Sequence, residues 1–229
     1  MLLLATDTSG KHGSIALAHA KNANNSNSGP LEILEVVPLA GGTFSAQLVP
    51  QIAALLAKHG FKKEDIGAFA VASGPGSFTG LRVGLAAIKA LAEVTGKPIA
   101  AVSLLEAVAR SGKVRGKVIA ALDAGRGEIY TGIYDITERV TAVSEQLLAR
   151  DDFVHAAAGL CVTTPSPSVA GLARDAGIQV EEIDVPQSDA MARLGWEKIQ
   201  AGETVSPEEL EANYIRRTDA EIFSKISSS

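Results

Sequence analysis

A chain of 229 residues with 46% hydrophobic side chains is long enough for one large domain or two small ones around a sizeable core. Only 4% of its residues are aromatic, so that core is built from Ala, Val, Leu and Ile. A net charge of −5 argues against a broad nucleic-acid face, which rests on clustered Lys and Arg, although a basic partner could still bring RNA close.

The first stretch, MLLLATDTSG, is apolar but short. It lacks a basic leader and a cleavage site, and Asp7 interrupts it, so it reads as a buried strand over Leu2–Thr6 rather than a signal peptide. Asp7-Thr8-Ser9-Gly10 reads as a turn, Ser14–Ala18 as the returning strand and Leu31–Pro38 as a third. The Asn- and Ser-rich stretch between the second and third strands, near residues 22–28, reads as an exposed hairpin loop. TFSAQLVPQIAALLAKHG then changes to helical period. Thr43 or Ser45 caps it, Leu48, Ile52, Leu55 and Leu56 form its apolar stripe, and Gly60 ends it. AFAVAS is a buried strand, Leu81–Thr95 a second helix and PIAAV a further strand.

The second half begins again in the same way. KVIAALDAGRGEIYTGIYD reads as strand, turn at Asp123–Gly127, strand. Like LLLATDTSGKHGSIALA, it is an apolar strand that ends in Asp, turns through small residues and returns, a weak internal duplication. Beyond Thr141 the pattern is less clear: Ala190–Ala201 looks helical, PSPS reads as a loop and the final SSS as a frayed tail. Cys161, the only cysteine, lies in the apolar run AGLCVTT and reads as a small buried filler; an internal disulfide is excluded and a reducing cytoplasm fits. Trp196 reads as core, and His12, His19, His59 and His155 are scattered. No apolar run is long enough to span a bilayer. Paired strand–turn–strand units with an Asp at each turn suggest an α/β protein of the actin-like ATPase and ribonuclease-H-like class. In it, two similar lobes, each a mixed sheet flanked by helices, face each other. We place the N-terminal lobe at 1–105 and the diverged C-terminal lobe at 106–229, with the last helix expected to pack back on the first lobe. In such a fold the Asp turns clamp phosphates and Mg²⁺ in the cleft, because that ion prefers hard oxygen ligands.

The loop Gly74-Pro75-Gly76-Ser77-Phe78-Thr79-Gly80 precedes a helix, where phosphates often bind. It fits neither common phosphate pattern. The P-loop pattern would need Gly and Lys where Thr79 and Gly80, or Leu81 and Arg82, stand, and the third glycine of the dinucleotide fingerprint falls one place late, at Gly80. A sharp turn capped by Ser77 or Thr79 is the plain reading, with anion binding the alternative. In the helix, Gly80, Gly84 and Ala87 make a small-residue face that admits close approach, and Leu81, Leu85, Ile88 and Ala92 make an adjacent apolar row. The two helices together either pack on their own sheet or present a shared apolar patch to a partner.

LATDTS, GPGSFTGLRVGL and ALDAGRGEIYTGIY resemble the TsaB (YeaZ) family of bacterial tRNA threonylcarbamoyladenosine biosynthesis proteins. The resemblance runs from Met1 to about Asp135 and continues loosely to NYIRR at Asn213–Arg217, which is similar to a family C-terminal strand. It implies a role in placing threonylcarbamoyl on N6 of adenosine 37 in tRNAs that read codons beginning with A. It also implies that the chemistry belongs to TsaD, a relative with a metal-binding His pair. The corresponding stretch here is VSLLEAV, where Leu104 and Val108 occupy the His positions and cannot ligate a metal. Ser9 stands where actin-like kinases place Gly, and Phe44 stands where family members often carry His. The resemblance thus implies a cytoplasmic, non-catalytic scaffold with no metal and no cofactor of its own. Its partners would be TsaD as a heterodimer, TsaE in a ternary complex, tRNA only through the complex, and a second copy of the chain when TsaD is absent. The expected docking residues are Leu48, Ile52, Leu55, Leu81, Leu85 and Ile88, with Arg82 at the rim. The expected relics of a nucleotide site are the turns at Asp7, Ser9, Gly74, Gly76, Asp123 and Gly125. The rival readings are an ATP-dependent phosphotransferase using Asp7 and Asp123, and a glycoprotease-like peptidase, for which no HExxH or nucleophile motif is present.

Overall fold

The computed structural model describes residues 1–21 and 29–215. The Asn- and Ser-rich loop near residues 22–28, Arg216 and Arg217 of the NYIRR motif, and the final SSS lie outside the described residues.

Leu2–Asp7 is buried at every position, so both faces of this strand must be covered. It is β1. β2 (Gly13–Ala20) returns beside it and β3 (Leu31–Leu39) follows, both antiparallel. β4 (Ile66–Gly74) and β5 (Ile99–Ser103) add in parallel on the other side, giving the order β3-β2-β1-β4-β5. Leu2 and Leu4 pack on one face against α1 (Phe44–Lys58) and α2 (Phe78–Thr95). Leu3 and Ala5 pack on the other against α6 (Ser188–Ala201). The alanines of that second face have a packing reason. A Cβ added at Gly195 of α6 would lie 2.4 Å from the Cβ of Ala70, so helix and strand meet almost backbone to backbone. Trp196 fills the same layer and its indole N–H donates to the Gly29 carbonyl at 3.3 Å.

The second sheet repeats this wiring. β6 (Gly116–Gly125), β7 (Glu128–Ile136) and β8 (Val140–Ala149) are antiparallel, and β9 (Cys161–Thr164) and β10 (Val180–Glu182) add in parallel, in the order β10-β9-β6-β7-β8. Each position in this order corresponds to one in the first sheet. One face carries α3 (Leu104–Ser111); the other carries α4 (Arg150–Ala157) and α5 (Pro167–Asp175). The molecule is therefore an actin-like, ribonuclease-H-like pair of lobes, as the paired Asp turns imply. Two local readings change. PSPS is not all loop, because Pro167 and Ser168 are the first residues of α5, where proline's missing N–H costs nothing. Asn213–Ile215 is not a strand; it makes one ladder-like bond, Asn213 N–H to the Ser73 carbonyl at 2.7 Å.

Helix α2 is seated by what its glycines lack. A Cβ at Gly80 would lie 2.0 Å from the Thr8 carbonyl oxygen, and one at Gly84 would lie 2.4 Å from the Thr8 hydroxyl. That hydroxyl donates to the Gly80 carbonyl at 2.7 Å. Ser77 caps the helix by accepting the Gly80 N–H at 3.2 Å, and Gly96 ends it in the left-handed region. Gly80→Ala should therefore destabilise the chain by about 2 kcal/mol or more, since the clash is with backbone. Gly171→Ala, on α5 with nothing within 4 Å of the added methyl, should gain up to about 1 kcal/mol from helix propensity. Urea denaturation of both variants checks the contrast; equal effects would remove the packing explanation.

Candidate functional site

A cleft of about 900 Å³ lies between the lobes. The β1–β2 turn at Ser9–His12, the starts of α1 and α2, and Asp123 and Ser166 from the second lobe line it. The two aspartates expected to face phosphates and a metal are used differently. Asp7 is 5% exposed, and its Oδ1 accepts the Ser9 N–H at 2.8 Å and the Ser9 hydroxyl at 2.6 Å. Burial pushes its carboxyl above the usual aspartate range, against the two Ser9 bonds. Asp123 is exposed on the facing lobe. Its oxygens accept the Gly125 N–H and the Ser168 hydroxyl, each at 2.7 Å, and the Ser168 bond first, then the Gly125 bond, hold it below the usual range. Both carboxylates thus close their own turns, as Asp does in turn chemistry generally.

Gly74 and Gly76 serve close packing. A Cβ at Gly76 would lie 2.4 Å from the Ser9 carbonyl oxygen, and the Ser77 N–H donates to that oxygen at 2.7 Å. Gly74 has a φ of 118°, and a Cβ there would lie 3.0 Å from the Asn213 carbonyl oxygen. The loop is pressed between the Ser9 turn and a C-terminal segment, and the Ser77 N–H points at Ser9 rather than into the cleft. The structure brings Asp7, Ser9 and Gly76 together, with Asp123 and Gly125 across the cleft.

The expected docking stripe is corrected in its side chains. Leu48, Ile52, Leu55, Leu81, Leu85 and Ile88 are 0–6% exposed and form the first lobe's own core. They line the inner side of α1 and α2 because both helices must cover their own sheet. Only Arg82 is exposed, with its guanidinium 3.7 Å from the centre of the Phe78 ring. The outer side of α1 is nevertheless apolar, and that of α2 is mixed, with Arg82 and Glu93 exposed beside its alanines. Val49 is 54% exposed and Val94 71%, among exposed alanines at 46, 53, 54, 57, 86 and 90. The sequence carried this signal: α1 has no charged residue before Lys58, whereas a helix with one free face normally places charges there. The equivalent helices of the second lobe expose Arg150, Asp151, Asp152 and His155 on α4, and Ser168, Arg174 and Asp175 on α5.

The stretch that aligns with TsaD's His pair is α3, between the two sheets. Leu104 and Val108 are buried there, and Glu106 meets Lys198 at 3.1 Å. Burial raises the Glu106 carboxyl, opposed by Lys198. Among the described residues no group of three or more His, Cys, Asp or Glu is placed to hold a metal ion, and no helix is long and apolar enough to cross a membrane.

Comparison with known proteins agrees with this geometry. Residues 36–202 match the family model described as TsaD, tRNA N6-adenosine threonylcarbamoyltransferase. The tRNA threonylcarbamoyladenosine biosynthesis protein TsaB of Bacillus subtilis is 35% identical over 58% of this chain and 55% of its own length. The Escherichia coli protein of the same name is 27% identical over 96% of both. The chain belongs to the TsaB/YeaZ family. The match thus spans about half of the B. subtilis TsaB and nearly all of the E. coli one. A crystal structure of an uncharacterized protein with similarity to peptidase YEAZ from Pseudomonas aeruginosa is 26% identical, with a TM-score of 0.74 over 94% of this chain and 99% of that one. The three motifs that carry the resemblance now have positions in this TsaB/YeaZ member: β1 with its turn, the loop and start of α2, and the β6–β7 hairpin.

The state of Asp7 gives a pH prediction. A carboxyl raised by burial binds its proton more tightly folded than unfolded. Its stabilising effect is therefore present below the unfolded value and lost as pH rises through the folded one. Asp7→Asn removes that loss. Its stability relative to wild type should improve as pH rises above about 4, the ordinary aspartate value, read by urea denaturation at several pH values. A difference that stays flat with pH would show Asp7 to be ionised at no cost.

Proposed function

We propose that this chain acts in tRNA threonylcarbamoyladenosine biosynthesis as a non-catalytic scaffold, docking TsaD through the outer faces of α1 and α2. TsaE joins the resulting complex, and tRNA meets the chain only through it. Without TsaD, the same face pairs two copies of the chain. One observation carries this reading. Two lobes of identical wiring differ in what their outer helices offer: α1 exposes alanines and Val49 with no charge before Lys58, and α2 adds Ala86, Ala90 and Val94 between Arg82 and Glu93, whereas α4 and α5 expose mainly charges. A pair of helices whose inner side is already filled by its own sheet has no intramolecular use for a second apolar side. Small side chains suit helix-to-helix contact, because they let backbones approach closely, and an interface of ordinary size needs about 1,600 Å² in total. Arg82 and Phe78 stand at the edge of the patch, where aromatic and Arg anchors are typical.

Support for a non-catalytic role comes from the cleft. Asp7 is sealed by Ser9, Asp123 is held by its own lobe, and Leu104 and Val108 are aliphatic where TsaD carries its His pair. The chemistry of threonylcarbamoyl transfer then falls to TsaD.

The test follows from the corrected surface. Leu85→Glu would bury a charge in the lobe's own core and unfold it, so it tests nothing about docking. Val49→Glu and Ala86→Glu place charges on the outer faces and should leave the melting temperature of the chain unchanged. They should weaken TsaD binding by at least about tenfold, or about 1.4 kcal/mol. Size-exclusion chromatography and titration against TsaD read this, and mass spectrometry of tRNA from cells carrying each variant reads the modification. Wild-type binding by both variants would remove the docking surface.

A further inference from the structure

The residues after α6 do not trail away from the fold. Val205 forms an antiparallel bridge with Ile99 on the edge strand β5, its N–H donating to the Ile99 carbonyl at 2.8 Å and its carbonyl accepting the Ile99 N–H at 3.3 Å. Leu210 is 1% exposed and enters the core beneath α1 and α2. Asn213 then makes two bonds in opposite directions. Its backbone N–H goes to the Ser73 carbonyl of the first lobe at 2.7 Å, and its side-chain Nδ2 donates to Glu145 Oε2, on β8 of the second lobe, at 2.5 Å. Tyr214 turns back to the start of α2. Its ring centre lies 5.2 Å from that of Phe78, and its hydroxyl accepts from Arg82 Nε at 3.2 Å.

Glu145 is the meeting point. Its other oxygen accepts the Ser103 hydroxyl at 2.5 Å, from the junction of β5 and α3, and the Tyr134 hydroxyl from β7. One carboxylate therefore holds a donor from the first lobe, one from the second and one from the C-terminal segment. Charge-assisted bonds of this kind are the strong ones, and their loss leaves several donors unpaired at once. Gly74 fits the same device: the Asn213 carbonyl passes so near that a Cβ there would lie 3.0 Å from it.

We infer that the segment from Thr204 to Ile215 is an interlobe clasp, joining the first turn of α2 to Glu145 of the second lobe, so that loosening either end loosens the other. The inference stands apart from the docking reading, because it concerns contacts made within the isolated chain. Coupling of this sort is reciprocal: whatever frees Tyr214 from Arg82 and Phe78 must weaken the Asn213–Glu145 bond by the same factor as the reverse change.

Two variants of the full-length chain test it by hydrogen exchange. Tyr214→Ala cuts only the α2 end; the ring is 42% exposed, so its loss leaves the core intact. Asn213→Asp cuts only the second-lobe end, by setting a carboxylate of the same size against Glu145. The expected result is cross-propagation. Tyr214→Ala should speed exchange by about tenfold or more in β7 and β8 around Gly132 and Glu145, and Asn213→Asp should do the same at Gly80 and Leu81 in α2, with α4 and α5 unchanged in both. If each variant speeds exchange only at its own end, the segment is a passive tail and the inference fails. If Asn213→Asp does not fold, Tyr214→Ala decides alone: faster exchange around Glu145 upholds the clasp, and wild-type exchange there overturns it.

Discussion

The contact between the Thr8–Ser9 turn and the glycine face of α2 is the constraint on which the first lobe depends. The turn carries two backbone oxygens that sit where side chains of α2 and its loop would be. Gly76 yields to the Ser9 carbonyl, Gly80 to the Thr8 carbonyl and Gly84 to the Thr8 hydroxyl. Once these approach, their polar groups pair: Ser77 N–H with Ser9, and the Thr8 hydroxyl with Gly80. A glycine-rich turn before a helix is often read as a phosphate cradle, because free N–H groups collect there. Here the Ser77 and Gly80 N–H groups are already taken by Ser9 and by the Ser77 side chain. Glycine gives the backbone close approach in both cases; what differs is whether a ligand or the protein's own turn makes that approach.

Duplication explains what the two lobes share and divergence explains what they do not. Each lobe needs its sheet covered on both faces, so each has helices outside and one helix between the sheets, α6 for the first and α3 for the second. That requirement uses the inner sides of the outer helices and leaves their outer sides free to vary. The second lobe's free sides are mainly charged, as solvent favours, while in the first lobe that of α1 is uncharged up to Lys58 and that of α2 is mixed. In the cleft, each Asp closes a turn through bonds to nearby backbone and Ser, which is by itself sufficient reason for an aspartate at that position.

The first-lobe elements and both Asp hairpins were legible because their signals are local. Continuous apolar runs, a cap at Ser77 or Thr79 and an Asp at the end of a strand need no knowledge of the rest of the chain. Most of the second lobe after the β6–β7 hairpin was not, for equally physical reasons. β8 is an edge strand with alternation too weak to stand out, β9 and β10 are short, and α3, α4 and α5 span two turns or so, too short to show a helical period. The docking side chains were misassigned for a different reason. Leu48, Leu55, Leu81 and Leu85 are large apolar residues on the sheet-facing sides of their helices, and they fill the lobe's own core. The informative positions were the small ones, Ala46, Ala53 and Ala57, where a charge is missing rather than a hydrophobe present. The clasp left no local signal at all, since Glu145 and Asn213 meet only after both lobes have formed.

These points converge on α2, which satisfies three neighbours at once and keeps a fourth side outward. Gly80 and Gly84 face the Thr8 turn; Leu81, Leu85 and Ile88 face the sheet; Arg82 and Phe78 hold Tyr214; Ala86, Ala90 and Val94 face outward. A helix with one buried face tolerates substitution over half its surface. One with three occupied sectors tolerates little, and each sector wants a different size of side chain. That is why so short a stretch as GPGSFTGLRVGL is distinctive. Its pattern is the sum of the inward packing demands, and the outward one, carried by the residues that follow it on α2, is met by nothing within the described chain.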